Sequence, residues 1–291
     1  MQTLLQLLFT TLQIGAVVVL FALGLTLIFG VLRIVNFAHG QFFTLSALTV
    51  AVAVPALVQH GLPVPWAYVL ACLAGVAVAT AVGMLVYELG FRRLERDMVG
   101  SFILSAGVVL LFEGLFLEVF GGAVRPVPPL LDGHVTLGGL SISAQRLLLC
   151  GMALTLTLAL GWLLSRTRFG RSLRAVAIDH EAAMLQGVPY RSVAMRGFLV
   201  ATLIGAVAGA LTAPITAVSP TLGDAYLVKG FIAVIIGGLG SVAGAIVGSL
   251  FIAFIESFGG FYLDSSSATL ATFVLVMLVL LVRPKGLLGH G

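Results

Sequence analysis

The sequence predicts an all-α polytopic membrane protein of about eight transmembrane segments, with discontinuous helices and a short helix on the cytoplasmic side. Three observations predict it. Of 291 residues, 60% are hydrophobic and only 9% are charged, where a soluble domain carries about 25% charged residues. Apolar runs recur at the length that crosses a hydrocarbon layer about 30 Å thick, roughly 20 residues at 1.5 Å each. Arginines collect in alternate connections between those runs, the bias cytoplasmic loops keep because cations are costly to translocate.

The segments fall at residues 5–31, 38–58, 65–88, 99–120, 146–165, 196–218, 227–258 and 268–283. The first carries no charge before Arg33. It lacks the basic flank of a cleaved signal and is too long for its apolar core, so it is expected to stay as a helix. Asn36-Phe37-Ala38-His39-Gly40 precedes the second and is read as a helix break, with Asn36 and His39 three residues apart. The third ends in Glu88, four residues before Arg92 and placed to pair with it. The fourth holds Glu113, the deepest carboxylate, and Glu118; each must face protein, water or an interface.

Residues 121–145 form the one sizeable external loop, where Pro126, Pro128 and Pro129 lead into alternating residues from His134 to Ser143. That pattern reads as a hairpin around Gly138-Gly139, either a plain connection or a docking surface for an external protein. After the fifth segment, residues 166–196 hold Arg166, Arg168, Arg171, Arg174, Arg191 and Arg196. The sixth carries Gly205 and Gly209, and the seventh Gly240, Gly244 and Gly248, spacings that let helices approach closely in lipid.

At 32 residues the seventh segment is too long for one straight crossing, and Gly237-Gly238-Leu239-Gly240-Ser241 interrupts it. Two short helices or a re-entrant hairpin are expected there. Orientation supports this. With the N-terminus outside, Arg33, Arg92, Arg93, Arg96 and the arginines of 166–196 all lie inside. Arg283 and Lys285 join them only if the broken segment crosses an even number of times, which returns the C-terminus to the cytoplasm.

Several function classes are excluded. The only lysines, Lys229 and Lys285, follow no P-loop pattern, so the chain is not its own ATPase by that route. His180-Glu181 opens like a zinc-protease motif, but Met184 stands where the second histidine is needed. No Gly-x-Ser-x-Gly elbow occurs. Cys72 and Cys150 lie in apolar runs without metal-like spacing. No catalytic residue, metal site or resident cofactor is expected. The sequence pI of 9.4 reflects the membrane-flanking arginines, so nucleic acid is not expected as a partner.

The loop 166–196 contains a helix with both ends marked. Asp179 is placed to accept from the first free amides, Glu181 suits the positive end of the helix dipole, and Gly187 suits a left-handed stop. Between them Ala182 and Ala183 are small, and Met184 and Leu185 are apolar. Such a surface lets another protein approach closely and push.

Glu181-Ala182-Ala183 followed by Gly187 resembles the Glu-Ala-Ala-x3-Gly loop of ABC importer permeases, although the Ile-x-Leu-Pro end of that motif is represented only by Val188-Pro189. The resemblance makes this the coupling helix. The stretch from Gly24 to Phe42, the run Ile235 to Ala245 and the close Arg283-Pro284-Lys285-Gly286-Leu287-Leu288-Gly289 are similar to the membrane subunits of branched-chain amino-acid importers, the shorter paralogue most of all.

That resemblance implies a single permease domain over residues 1–291 in a bacterial-type inner membrane. It implies two cytoplasmic ATPase subunits that bind the ATP and Mg, a second paralogous permease and an external or periplasmic solute-binding protein. The cargo it implies is branched-chain or related hydrophobic amino acids, with urea or short amides as the alternative within the class. Asp179, Glu181, Ala182, Ala183, Met184, Leu185 and Gly187 become the ATPase-coupling residues, and Asn36, Phe37, His39, Gly40, Gly237, Gly238, Gly240 and Ser241 the translocation-path candidates. A rival from another class is an ion-coupled secondary transporter, which expects intramembrane ionisable clusters and leaves the capped helix without a task.

Overall fold

The computed structural model describes residues 2–95, 97–131, 133–137, 140–283 and 286–288. Arg96, the Gly138-Gly139 turn, Pro284, Lys285 and Gly289, all named from the sequence, lie outside them. The chain is built almost wholly of helices: α1 (Gln2–Leu32), α2 (His39–Gln59), α3 (Val64–Leu89), α4 (Met98–Phe120), α5 (Ala144–Arg166), α6 (Arg168–Ile178), α7 (His180–Leu185), α8 (Tyr190–Thr212), α9 (Leu222–Gly237), α10 (Val242–Tyr262) and α11 (Ser265–Val282). A two-stranded ribbon, β1 (His134–Leu137) with β2 (Leu140–Ser143), interrupts them, antiparallel with His134 opposite Ser143. This is the hairpin that alternation called for. Among the described residues seven helices, α1 to α5, α8 and α10, are long and apolar enough to cross a membrane, and α11 is a shorter apolar helix.

Helix α1 is apolar around its whole circumference, and every residue from Val17 to Ile28 is buried. A helix of that kind belongs in the centre of a bundle. It packs along α10 and α8, with α5 and α9 completing its surround. Helix α4 is the opposite case, with only Ser101, Ser105 and Phe116 buried. Its leucines form an outer face suited to lipid or to another subunit.

The overlong seventh segment resolves into α9 and α10 joined by a tight turn at 238–241. Ser241 accepts from the amide of Gly244 at 3.0 Å and so starts α10. Gly244 then packs on Gly237, and Gly248 on Ala233. At the same end Gly30 of α1 touches Gly240, and Leu287 and Leu288 donate to the carbonyls of Ile236 and Gly237 at 2.7 and 2.9 Å. The turn, Arg33, the loop between α5 and α8 and residues 286–288 therefore share one end of the bundle, as an even number of crossings requires.

Segment boundaries shift where charge was used to set them. Helix α8 begins at Tyr190, not 196, because Arg191 and Arg196 sit in its early turns with long stems that reach the interface. It ends at Thr212, ahead of Pro214, which cannot continue the ladder.

Candidate functional site

Two regions bear on function, one at the arginine-rich end and one inside the bundle. At the first, Thr167 caps α6 by accepting from the amide of Gly170 at 3.0 Å. Asp179 closes α6 and opens α7, accepting from the amides of Glu181 and Ala182 at 2.9 and 3.1 Å. The Ala182 amide first, then that of Glu181, holds the Asp179 carboxyl below its ordinary range. Gly187 stops the helix with φ 82°, while Val188 donates back to Ala183 at 3.0 Å.

Of the residues assigned to coupling, Ala183 turns inward and is buried in the main core. The sequence placed it on the docking surface, but it anchors α7 to the body instead. Ala182, Met184 and Leu185 face outward, Leu185 at 87% exposure. Ile178, at 80%, joins them. It went unnoticed because it precedes the motif, at the end of α6. These four residues, within the stretch 178–185, thus present a patch that water disfavours, at the arginine-rich end.

This patch is linked to the membrane helices. Arg33, just past α1, donates to the carbonyl of Ala177 at 3.3 Å. Its own backbone holds φ 51°, the one left-handed non-glycine among the described residues, a conformation that persists only where its surroundings enforce it. The rings of His180 and Tyr190 lie 6.1 Å apart and join α7 to the start of α8.

Inside the bundle, residues 33–38 turn back from the end of α1, and α2 starts at His39, against Gly24. Gly24 lies eight residues before Leu32, about 12 Å along the helix. The second helix therefore begins within the bundle. His39 is fully buried in a notch between Gly24 and Gly205, where an added Cβ would come within 2.6 and 2.7 Å of the ring. Its ring meets Phe21 edge-on at 4.8 Å, and Phe37 lies between Phe102, edge-on at 5.3 Å, and Phe231, tilted at 4.9 Å. Asn36 is buried with both amide atoms unpartnered.

A second helix start meets the first. Helix α9 begins at Leu222, two residues after Pro220, and Gly223 and Gly40 press backbone to backbone where any Cβ would clash. The amide of Gly223 donates to the Thr44 hydroxyl at 2.8 Å. Gln41, fully buried, donates through Nε2 to Asp224 at 3.1 Å, and the Glu113 carboxyl from α4 meets the same Asp224.

Of the translocation-path candidates, Gly40 meets the first turn of α9 at Gly223 and Phe37 meets its middle at Phe231, while His39 packs between α1 and α8. Gly237, Gly238, Gly240 and Ser241 lie at the arginine-rich end, against Gly30 and the residues after α11. Sequence reasoning missed Gln41, Thr44, Gly223 and Asp224. The available signal was Pro214 and Pro220 bracketing a break just ahead of an aspartate in an apolar run. Elsewhere Lys229 pairs with Glu256 at 2.6 Å beside a cavity of ≈ 300 Å³ between α9, α10 and α11, and Glu88 pairs with Arg92 as expected.

Comparison with known proteins adds four findings. The family described as branched-chain amino acid transport system, permease component, matches residues 7–283. The chain is 28% identical to the high-affinity branched-chain amino acid transport permease BraD of Pseudomonas aeruginosa over 98% of this chain and 96% of that protein. The same figures hold for the permease LivH of Escherichia coli. It is also 28% identical to the autoinducer 2 import permease LsrC of Yersinia pseudotuberculosis, over 83% of this chain and 66% of that one.

Proposed function

The chain belongs to the permease-component family of branched-chain amino acid transport systems, and from that premise we propose that it moves branched-chain or related hydrophobic amino acids inward as one of two paralogous permease subunits. Two cytoplasmic ATPases bind ATP and Mg and drive the cycle. A solute-binding protein delivers cargo at the opposite face, which holds the β-ribbon. The N-terminus lies outside and the C-terminus inside a bacterial-type inner membrane. The chain itself contributes no catalytic group.

The single observation that carries this reading is the capped α7 with its Met184 and Leu185 exposed, at 45% and 87%, at the end where the arginines gather. An ATPase that docks on this patch pushes α7. The push passes through the Ala177 carbonyl to Arg33 and through His180 to Tyr190. The Arg33 contact stands next to residues 33–38 and the start of α2 inside the bundle, where freed backbone groups line protein or a wet path. Residues 33–40 and the first turn of α9 are the moving wall.

Cargo follows the family only as a class. LsrC imports autoinducer 2, so the scaffold accepts cargo other than amino acids, and urea or short amides stay within its reach. An ion-coupled carrier draws on the Glu113–Asp224 contact, yet leaves the α7 patch without a task. Proteoliposomes holding the permease pair, the ATPases and the binding protein test the reading: leucine uptake requires ATP and persists with ion gradients collapsed. Uptake by the permease alone under an ion gradient refutes it.

A further inference from the structure

Gln41, Asp224 and Glu113 come from three helices, and two of these begin their first turns at that spot. Depth is read against α3, where Gly75, twelfth of 26 residues, packs on Ser46. Gln41 is five residues inward from Ser46, about 7.5 Å of helix. Glu113 is sixteenth of the 23 residues of α4. The group thus sits near the middle of the bundle, where a carboxylate is expensive unless compensated.

No lysine or arginine compensates it among the described residues: the ion pairs found there are Arg92–Glu88, His180–Glu181 and Lys229–Glu256. Gln41 adds an independent observation. It is 0% exposed, its Nε2 is committed to Asp224, and its Oε1 has no partner. Buried carbonyl oxygens are rarely left unmet. Two carboxylates and an orphaned acceptor converge, and all three are satisfied by one small cation with several hydrogens to give. Asp224 and Glu113 are both only partly buried, and the neighbouring α4 and α9 residues Leu110, Leu111 and Val228 are exposed. The group therefore lies beside an exposed apolar flank of α4 and α9.

We propose that Gln41, Asp224 and Glu113 form a recognition station for the α-ammonium group of the cargo as it crosses. The ammonium donates one hydrogen each to Gln41 Oε1, Asp224 and Glu113. Its positive charge relieves the repulsion between the two acids. The station selects for cargo with a protonated amine, while the apolar side chain meets the leucines of α4. This rests on the importer reading above.

The test uses the whole importer in proteoliposomes with L-leucine as probe and reads leucine moved per ATP hydrolysed. Asp224→Asn combined with Glu113→Gln is expected to lower that ratio tenfold or more, Gln41→Met threefold or more, and Asp224→Glu to stay within threefold of the parent. A ratio within twofold of the parent in the first two variants overturns the station. So does a proportional loss of hydrolysis and uptake, which marks a merely structural contact. If the double variant does not assemble, Gln41→Met decides alone, since it keeps the volume of a buried side chain and removes only the amide. A parent complex that hydrolyses ATP without moving any branched-chain amino acid refutes the importer reading, and the station with it.

Discussion

Replacing Leu185 by aspartate separates docking from folding. In the isolated chain Leu185 is 87% exposed, so its loss removes almost no packing, and a surface change of this kind stays within about 0.5 kcal/mol of the parent. On docking, the same side chain goes from water to an interface, and full burial of a leucine contributes about 1.5–3 kcal/mol. At 1.4 kcal/mol per factor of ten, the ATPase should bind roughly ten- to a hundredfold more weakly. Titration of the ATPase onto nanodisc-held permease gives the affinity, and thermal unfolding of the permease alone gives the stability. The expected result is a tenfold or greater loss of affinity at unchanged melting temperature. Unchanged affinity refutes the reasoning, and so does a fall in melting temperature, which would mean Leu185 packs within the chain. Ala183→Asp is the counterpart: Ala183 is buried, so an unpaired charge there should lower the melting temperature first.

Other outcomes follow from the same geometry. Gly205→Ala should destabilise the permease by about 1–3 kcal/mol, because the new methyl meets the His39 ring at 2.7 Å; in a melting series, His39→Ala added to it should cost less than the two single losses combined. Asp179→Ala should raise hydrogen exchange at the Glu181 and Ala182 amides that the carboxylate holds. The pH dependence has a definite sign: the Asp179 carboxyl is lowered on folding, so this protection is complete above its ordinary titration range and is lost as pH falls through the folded-state value. Gly187→Val should abolish uptake while the membrane helices persist by circular dichroism, since φ 82° costs a β-branched residue about 1–3 kcal/mol. Lys229→Met should destabilise more than Lys229→Met with Glu256→Gln, as unfolding midpoints would reveal, because the single change strands the partner's charge.

What the sequence made legible was local. Apolar length marked the membrane helices, and capping chemistry marked α7 to the residue, because Asp179 and its amides are two and three positions apart. The break at Gly237 was legible as a break, for a run overlong for one crossing with glycines at 237, 238 and 240 disfavours a continuous helix there. Its depth was not. Whether a break lies in mid-membrane or at the rim depends on what packs beside it, here Gly30 and residues 286–288. The interior station was illegible for the same reason, since Gln41 and Asp224 are 183 residues apart and neither stands out alone. Ala183 shows the limit at finer scale: in a six-residue helix one position decides between docking face and core, and the sequence around it is equally small and apolar.

The central claim is that α7 receives work on the cytoplasmic side. Its most direct measurement places a single cysteine at Leu185, with Cys72 and Cys150 replaced, and treats membranes of defined orientation with an impermeant thiol reagent. The account expects labelling only from the cytoplasmic face, blocked when the ATPase is bound and restored when it is stripped away. Labelling from the external face, or labelling indifferent to the ATPase, contradicts it.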